Sequence, residues 1–329
     1  MNIGIVGFGF MGRMHYRCWK GIDDVQITAI CEPDENNLKE SSGGNIDGAA
    51  ETIDLTGIGI HKDLEEMLQT EELDAVSITV PSFLHADLSV KALNAGAHVL
   101  CEKPMALTLE HCGRMIDAAK KNKKILQIGH CIRFWPEYAK AREIVKSGEY
   151  GKVLAATFRR LGSAPTWGHN WFLDEKRSGG VEFDLHIHDT DYIQYLFGVP
   201  RAVSSVGGQN YINTQYLYED GKAIIAEGSW AMTPSFGFEM SFNIMLEKAT
   251  IVYDCTRDPA FRVCPGEGEV FTPEIEAGDG YNHEINYFAK TIIKEPAELV
   301  VAPEDARDAV RIVLAEKESV SKNTVIAIL

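Results

Sequence analysis

Residues 2–20, NIGIVGFGFMGRMHYRCWK, decide the fold. A short apolar run, Asn2–Val6, reads as a buried strand. Gly7-Phe8-Gly9-Phe10-Met11-Gly12 follows it with GxGxxG spacing and opens an amphipathic stretch, Met11–Lys20. A strand, a glycine turn and a helix in that order form a phosphate-binding unit. Gly7 permits the tight turn, Gly9 lets the backbone approach a pyrophosphate, and Gly12 allows helix and strand to pack closely. The helix N-terminus offers unpaired N–H groups and the positive end of its dipole to the phosphates. A second run, Gln26–Cys31, leads to Glu32, 20 residues beyond Gly12. A carboxylate there accepts hydrogen bonds from the adenosine ribose and repels a 2′-phosphate. Pro33-Asp34-Glu35-Asn36-Asn37 carries no Arg or Lys to receive that phosphate, so NAD is favoured over NADP. A glycine turn without a ligand, and Glu32 as a solvated acid, are the bland alternatives.

Strand-like and helix-like periods alternate through the rest of the first third. Further strands are expected at Ala75–Val80, His98–Cys101 and Lys124–Ile128, and helices at Asp63–Thr70, Leu84–Ala95 and Thr108–Lys121. Continuous apolar strands separated by helices imply a parallel sheet covered on both faces. Ser41–Gly59 reads as an irregular excursion. After Gly129 the pattern changes. A helix at Trp135–Ser147, stopped by Gly148, precedes strands at Val153–Leu161, Ala202–Gln209, Gln215–Leu217, Ala223–Trp230, Phe238–Leu246 and Thr250–Tyr253. Helices at Asp184–Phe197, Asn282–Ile293 and Pro303–Ser321 interrupt and close this meander. The expectation is an α/β nucleotide-binding domain over residues 1–128 and an α+β substrate domain over 129–329.

A length of 329 residues agrees with two domains. The net charge of −16 argues against general nucleic-acid or anionic-membrane binding. Seven cysteines, none in a CxxC pair, suit reduced thiols in a cytoplasmic protein. The apolar N-terminus lacks a basic leader and reads as a strand, and nothing approaches a membrane span.

Two later segments carry candidate chemistry. Gly96-Ala-His-Val-Leu-Cys-Glu102-Lys103-Pro104 delivers an acid and a base to the carboxyl end of a strand, where ligands bind in open α/β sheets. Ser178-Gly-Gly-Val-Glu-Phe-Asp184-Leu-His186-Ile-His188-Asp189-Thr-Asp191 follows. Four helical residues advance by about 400°, so Asp184 and His188 share a face, as does Asp191, while His186 points away. That spacing sets an imidazole beside a carboxylate, as a general base requires. A His-x-His metal pair needs a strand, and no HExxH or cysteine set is present, so no metal is expected. On spacing alone, helix packing and metal ligation remain alternatives for His188. Arg159 and Arg160 are adjacent in a strand, so only one can face a cleft. Trp167, His169, Trp171 and Phe172 form an aromatic loop suited to a sugar ring or to an interface. Tyr281, Asn282 and His283 open a late helix near the expected substrate.

GFGFMG, AGAHVLCEKP, Gly148-Glu-Tyr-Gly-Lys-Val153 and GGVEFDLHIHDTDYIQYLFG, in this order, resemble the family of glucose–fructose oxidoreductase, inositol dehydrogenase and MocA-type proteins. The resemblance implies a doubly wound Rossmann domain and a C-terminal domain with a large, mostly antiparallel open sheet. In the family that sheet often joins a homodimer or homotetramer. Lys103 then matches the lysine that contacts substrate and nicotinamide, His188 the acid/base, and Asp184 its partner. Glu102 falls on the nicotinamide side. Thr79-Val-Pro81-Ser-Phe-Leu-His85 resembles the loop along the cofactor, with Thr79, Pro81 and His85 as contacts; Ser82 stands where Asn is usual. Arg133, Trp171 and Tyr281 are candidate substrate contacts. The implied reaction is hydride transfer between nicotinamide and a secondary alcohol of a sugar, sugar acid or cyclitol. The alternatives are an NAD-dependent internal redox reaction of the glycosidase type, and a ligand sensor without chemistry.

Overall fold

The computed structural model describes residues 1–39, 53–166, 168–294, 296 and 298–328. Most of the excursion expected at 41–59, together with Trp167 and the His169 side chain, lies outside this set. The chain runs through β1 (Asn2–Val6), α1 (Phe10–Lys20), β2 (Gln26–Cys31), α2 (Glu35–Lys39), β3 (Gly59–His61), α3 (Leu64–Thr70), β4 (Ala75–Ile78), α4 (His85–Asn94), β5 (His98–Glu102), α5 (Leu109–Asn122) and β6 (Leu126–Gly129). It continues with α6 (Pro136–Ser147), β7 (Val153–Gly162), α7 (Glu175–Ser178), α8 (Ile187–Phe197), β8 (Ala202–Gly208), β9 (Tyr211–Leu217), β10 (Ala223–Ser229), β11 (Phe238–Leu246), β12 (Ala249–Asp254) and β13 (Phe261–Pro265). α9 (Gly280–Ile293), α10 (Pro303–Lys322) and β14 (Ile326–Ala327) complete it.

The first sheet is six-stranded, in the order β3-β2-β1-β4-β5-β6, and every pair is parallel. Every residue of β4 and β6 is buried, as strands covered on both faces must be. Side chains set the helix boundaries: Asp63 caps α3 through the Glu65 and Glu66 N–H groups, and Thr108 caps α5 through that of His111. Gly148 ends α6 with φ +70°, a conformation glycine adopts without strain. The second sheet is eight-stranded, in the order β13-β12-β11-β7-β10-β9-β8-β14. Its strands pair antiparallel except for β7 with β10.

The chain forms two compact units, and neither is one continuous segment. The first comprises Met1–Cys131, Pro165–Ser178 and Tyr281–Arg307; the second comprises Ile132–Ala164, Gly179–Gly280 and Asp308–Leu329. A division at 128/129 follows the change of period, whereas packing assigns two later segments to the first unit. α9, expected to close the second domain, instead completes the first unit's core. Its Ile285, Phe288 and Ala289 pack with Ile3, Met14, Cys18, Trp19, Ala75 and Leu100, and the Trp19 and Phe288 rings meet edge-on at 6.1 Å. An apolar helix face shows that burial is needed, not which sheet supplies it.

The uninterrupted α-helix expected from Asp184 also differs in detail. A π-helical turn, Glu182–His186, leads into α8. It follows Gly179 and Gly180, both with φ near +85°, and a Cβ at Gly179 would meet the Phe183 ring at 2.6 Å. The wider turn breaks the 3.6-residue rule used to place Asp184 under His188. His186 is fully buried and Asp184 and His188 are half-buried, but Asp191, expected on the same face as those two, is fully buried against Arg133.

Candidate active site

The glycine turn is built as its spacing requires. Gly7 has φ +86°, and a Cβ there would lie 2.8 Å from the Thr79 carbonyl oxygen. A Cβ at Gly12 would run into the Gly7 carbonyl oxygen, whereas one at Gly9 would meet nothing within 4 Å. The space over Gly9 is therefore open to a ligand, which fits a dinucleotide phosphate. The Thr79 hydroxyl lies 2.7 Å from the Gly7 carbonyl and 3.0 Å from that of Val6, so this side chain fixes the turn. Glu32 is 5% exposed. Its Oε2 accepts from the Phe8 N–H at 2.7 Å and its Oε1 from the Asp34 N–H at 2.9 Å. Each oxygen keeps a lone pair for a ribose hydroxyl. The Phe8 side chain is buried against Tyr16, so only its backbone belongs to the turn. Phe10 and Met11 are half-buried at the start of α1.

At the carboxyl end of β5, Glu102 is buried beside the half-buried Lys103. Its Oε1 lies 3.0 Å from His15 Nε2, and its Oε2 accepts from the Lys103 N–H at 3.1 Å. Burial pushes the Glu102 carboxyl up, but His15, Lys103 and His85 outweigh it and hold the group below the usual carboxylate range. His15 Nδ1 lies 3.1 Å from the Ser77 hydroxyl, which accepts from the Trp19 indole N–H at 2.8 Å. His85 is 1% exposed. Its ring bridges two turns, with Nδ1 2.7 Å from the Pro104 carbonyl and Nε2 2.8 Å from that of Val80. Burial draws its pKa down against these two bonds. Pro81 precedes the single turn Ser82–Leu84, in which Ser82 is buried. His85 thus shapes the loop from inside rather than presenting a surface. Tyr281 opens α9, its phenol raised by burial and by nearby Cys131 and Glu102. Trp171 stacks on Phe172 at 4.0 Å, also within the first unit.

The second unit carries Asp184 and His188. Around them, buried charges are matched internally. Arg133 forms a two-pronged pair with Asp191 at 2.8 and 2.7 Å and lies over the Tyr195 ring at 4.3 Å. Its charge is balanced within the unit, and its side chain is wholly buried. Arg160 grips Asp189 with two bonds of 3.0 Å. Arg159, on the opposite face of β7, pairs with Glu227 and Glu239. His186 Nε2 lies 3.2 Å from the Tyr216 hydroxyl, and its ring is drawn down to about 3 by burial and by Arg160.

The sequence singles out the glycine turn, Glu32 and the segments bearing Lys103, Asp184 and His188. It does not single out His15 and Ser77, whose contacts with Glu102 and Trp19 only the fold shows. The available signal for His15 was its position three residues after Gly12, on a helix that must lie over the sheet. Among the described residues no helix is long and apolar enough to cross a membrane.

The model of the oxidoreductase family with an NAD-binding Rossmann fold matches residues 1–130, and that of the GFO/IDH/MocA C-terminal domain matches 138–252. Myo-inositol 2-dehydrogenase of Thermotoga maritima is 26% identical over 344 residues, covering 98% of this chain and 97% of the relative. The 2,7-anhydro-N-acetylneuraminate hydratase of Escherichia coli is 29% identical over 214 residues, covering 63% of this chain. The chain spans about half the length of several curated relatives, 53% in the case of that hydratase. The crystal structure of a levoglucosan dehydrogenase with NADH and levoglucosan superposes with a TM-score of 0.85 at 21% identity, covering 100% of this chain and 99% of the other, and shows the shared fold. With both family models matched, one unit built on a parallel six-stranded sheet bearing its phosphate turn and the other on an eight-stranded mixed sheet, the chain belongs to the Gfo/Idh/MocA oxidoreductase family and carries its NAD(P)-binding Rossmann domain.

Proposed function

We propose that this chain is an NAD-dependent oxidoreductase that moves a hydride between nicotinamide and a secondary alcohol of a sugar, sugar acid or cyclitol. The observation that carries this reading is an exposure pattern. Lys103, Asp184 and His188 are each partly exposed within runs of largely buried residues. Polar groups facing outward from packed segments are poised for a ligand. The full-length similarity to a myo-inositol 2-dehydrogenase supports the substrate class.

The bound nicotinamide supplies the hydride acceptor or donor. His188 takes the hydroxyl proton as the carbon is oxidised and returns it in reverse. Asp184 orients that ring and balances its charge. The Lys103 ammonium stabilises alkoxide character. Gly7, Gly9, Gly12 and the backbone of Phe8, Phe10 and Met11 hold the phosphates, and Glu32 takes the ribose and disfavours NADP. Thr79, Pro81, His85 and Glu102 shape the cofactor's surroundings. Trp171 and Tyr281 contact substrate, with Arg133 acting through Asp191. A homodimer or homotetramer is the proposed assembly. A cytoplasmic location is proposed as well, in keeping with seven cysteines outside any disulfide.

The Escherichia coli hydratase favours a second reading, a reaction without net redox change in which NAD stays bound. NADH absorbance, followed with NAD and then NADP against inositols, aldoses and sugar acids, separates the two. His188→Ala and Lys103→Met should each lower turnover by at least about 10²-fold while keeping cofactor affinity. Near-normal turnover in either variant removes that residue from its role. Silence across the panel with cofactor tightly retained supports the second reading.

A further inference from the structure

The ring of His15 links the phosphate-binding helix to the turn that carries Lys103, and its hydrogen bonds can be accounted for one by one. The Trp19 indole can only donate, so the Ser77 oxygen accepts from it and keeps its own hydrogen. The same oxygen lies 3.1 Å from His15 Nδ1, as donor to a neutral ring or acceptor from a protonated one. An ionised carboxylate only accepts, so Nε2 carries a proton in either case and donates it to Glu102 Oε1 at 3.0 Å. Glu102 Oε2 accepts from the Lys103 N–H. In this arrangement each donor meets an acceptor, from the core of α1 to the end of β5. Trp19, His15 and Ser77 are all fully buried, so water does not compete.

We propose that His15 is a positioning residue of the reacting site: through Nε2 it holds Glu102 as an oriented carboxylate beside Lys103, and so fixes the turn from which Lys103 acts. The effect on turnover rests on the role proposed above for Lys103, whereas the effect on Glu102 does not. The groups facing Glu102 are His15 from α1, His85 from α4, Cys101 and Lys103 from its own strand and turn, and Tyr281 from α9. Among these, His15 is the side chain hydrogen-bonded to the carboxylate. Without it, burial dominates and Glu102 takes up a proton at higher pH.

The test compares His15→Phe, which fills the space without a donor, with His15→Gln, which restores an amide donor toward Glu102. Carboxyl signals of protein labelled with carbon-13 glutamate, assigned with Glu102→Gln, report the titration without turnover. In His15→Phe the Glu102 signal should titrate roughly four pH units higher, and in His15→Gln close to the native position. The kcat of His15→Phe should fall roughly ten- to hundredfold at neutral pH and recover as pH rises through the shifted Glu102 titration, with NADH affinity nearly unchanged. His15→Gln should regain most of that loss. An unmoved Glu102 signal in His15→Phe overturns the proposal, as does a pH-independent loss of kcat that His15→Gln fails to rescue. Should His15→Phe not fold, His15→Leu, which removes the donor with a smaller apolar side chain, gives the same comparison. If native protein shows no NAD-linked turnover, the functional reading fails while the carboxyl titration still decides the role of His15.

Discussion

Two buried glutamates face histidines in this molecule and end in opposite charge states. In the first unit, His15 lies 3.0 Å from Glu102 and donates to it. In the second, His186 lies 3.6 Å from Glu316, beyond hydrogen-bond reach, and meets the Tyr216 hydroxyl instead. Burial pushes both carboxyls up. It loses at Glu102 to a ring donor, a lysine and a second histidine. It wins at Glu316, which has the Tyr216 and Thr190 hydroxyls against it and the charge of Glu182 with it, and is raised to about 8. A ring donor within reach, together with the charges of Lys103 and His85, thus holds Glu102 in its charged form, whereas the two hydroxyls at Glu316 do not offset burial. The charged member stands beside the proposed catalytic lysine. The neutral member lies among hydroxyls against the π-turn that carries Asp184 and the helix α8 that carries His188.

The largest expected effect comes from breaking the neutral member. The folded pKa of Glu316 exceeds its ordinary value of 4.5, so its contribution to stability is intact below that value and is lost as pH rises to about 8. Glu316→Gln keeps a neutral side chain at every pH. Urea unfolding should show native and variant alike in acid, and the variant ahead at pH ~9 by on the order of 3–5 kcal/mol. Parallel pH curves would mean that Glu316 is ionised after all.

The sign reverses for Glu102. A depressed pKa contributes stability above the ordinary value and loses it as pH falls through the folded one. Glu102→Gln should be less stable than native protein by about 1–3 kcal/mol at neutral pH, with the gap closing in acid. A gap that stays constant with pH would show that the loss is one of packing rather than charge.

Glu32 sharpens the comparison, because backbone N–H groups hold this carboxylate without any histidine. Glu32→Ser should reduce the preference for NAD over NADP by about tenfold, read from the ratio of kcat/KM values. An unchanged ratio would leave Glu32 as a brace for the Phe8 backbone alone.

Much of the first sheet was legible because its signals are local. β1 and β2 lie where their apolar runs place them, and the glycine turn with its acid twenty residues on needs no knowledge of the rest of the chain. β3 and β14 have three and two residues, too few to show a period. The π-turn at Glu182–His186 was invisible to a 3.6-residue rule, although the two preceding glycines mark the place. Long-range pairings were beyond reach. Arg133 and Asp191 are 58 residues apart, and His15 and Glu102 are 87 apart. Such partners are chosen by the packed sheet and not by neighbours in sequence. Accordingly, the segments bearing the candidate site could be read, while the contacts that tune each group could not.

The seat of Trp19 against Phe288 has a consequence for biosynthesis. The strands that surround this indole are translated well before the helix that covers it. At cellular elongation rates that interval is on the order of ten to thirty seconds. Throughout it, a nascent sheet complete in its hydrogen bonds would present Ile3, Trp19 and Leu100 to solvent, an apolar surface of the kind holding chaperones recognise. Ribosome stalling or premature termination ahead of α9 would therefore release a sticky product rather than a working nucleotide-binding module.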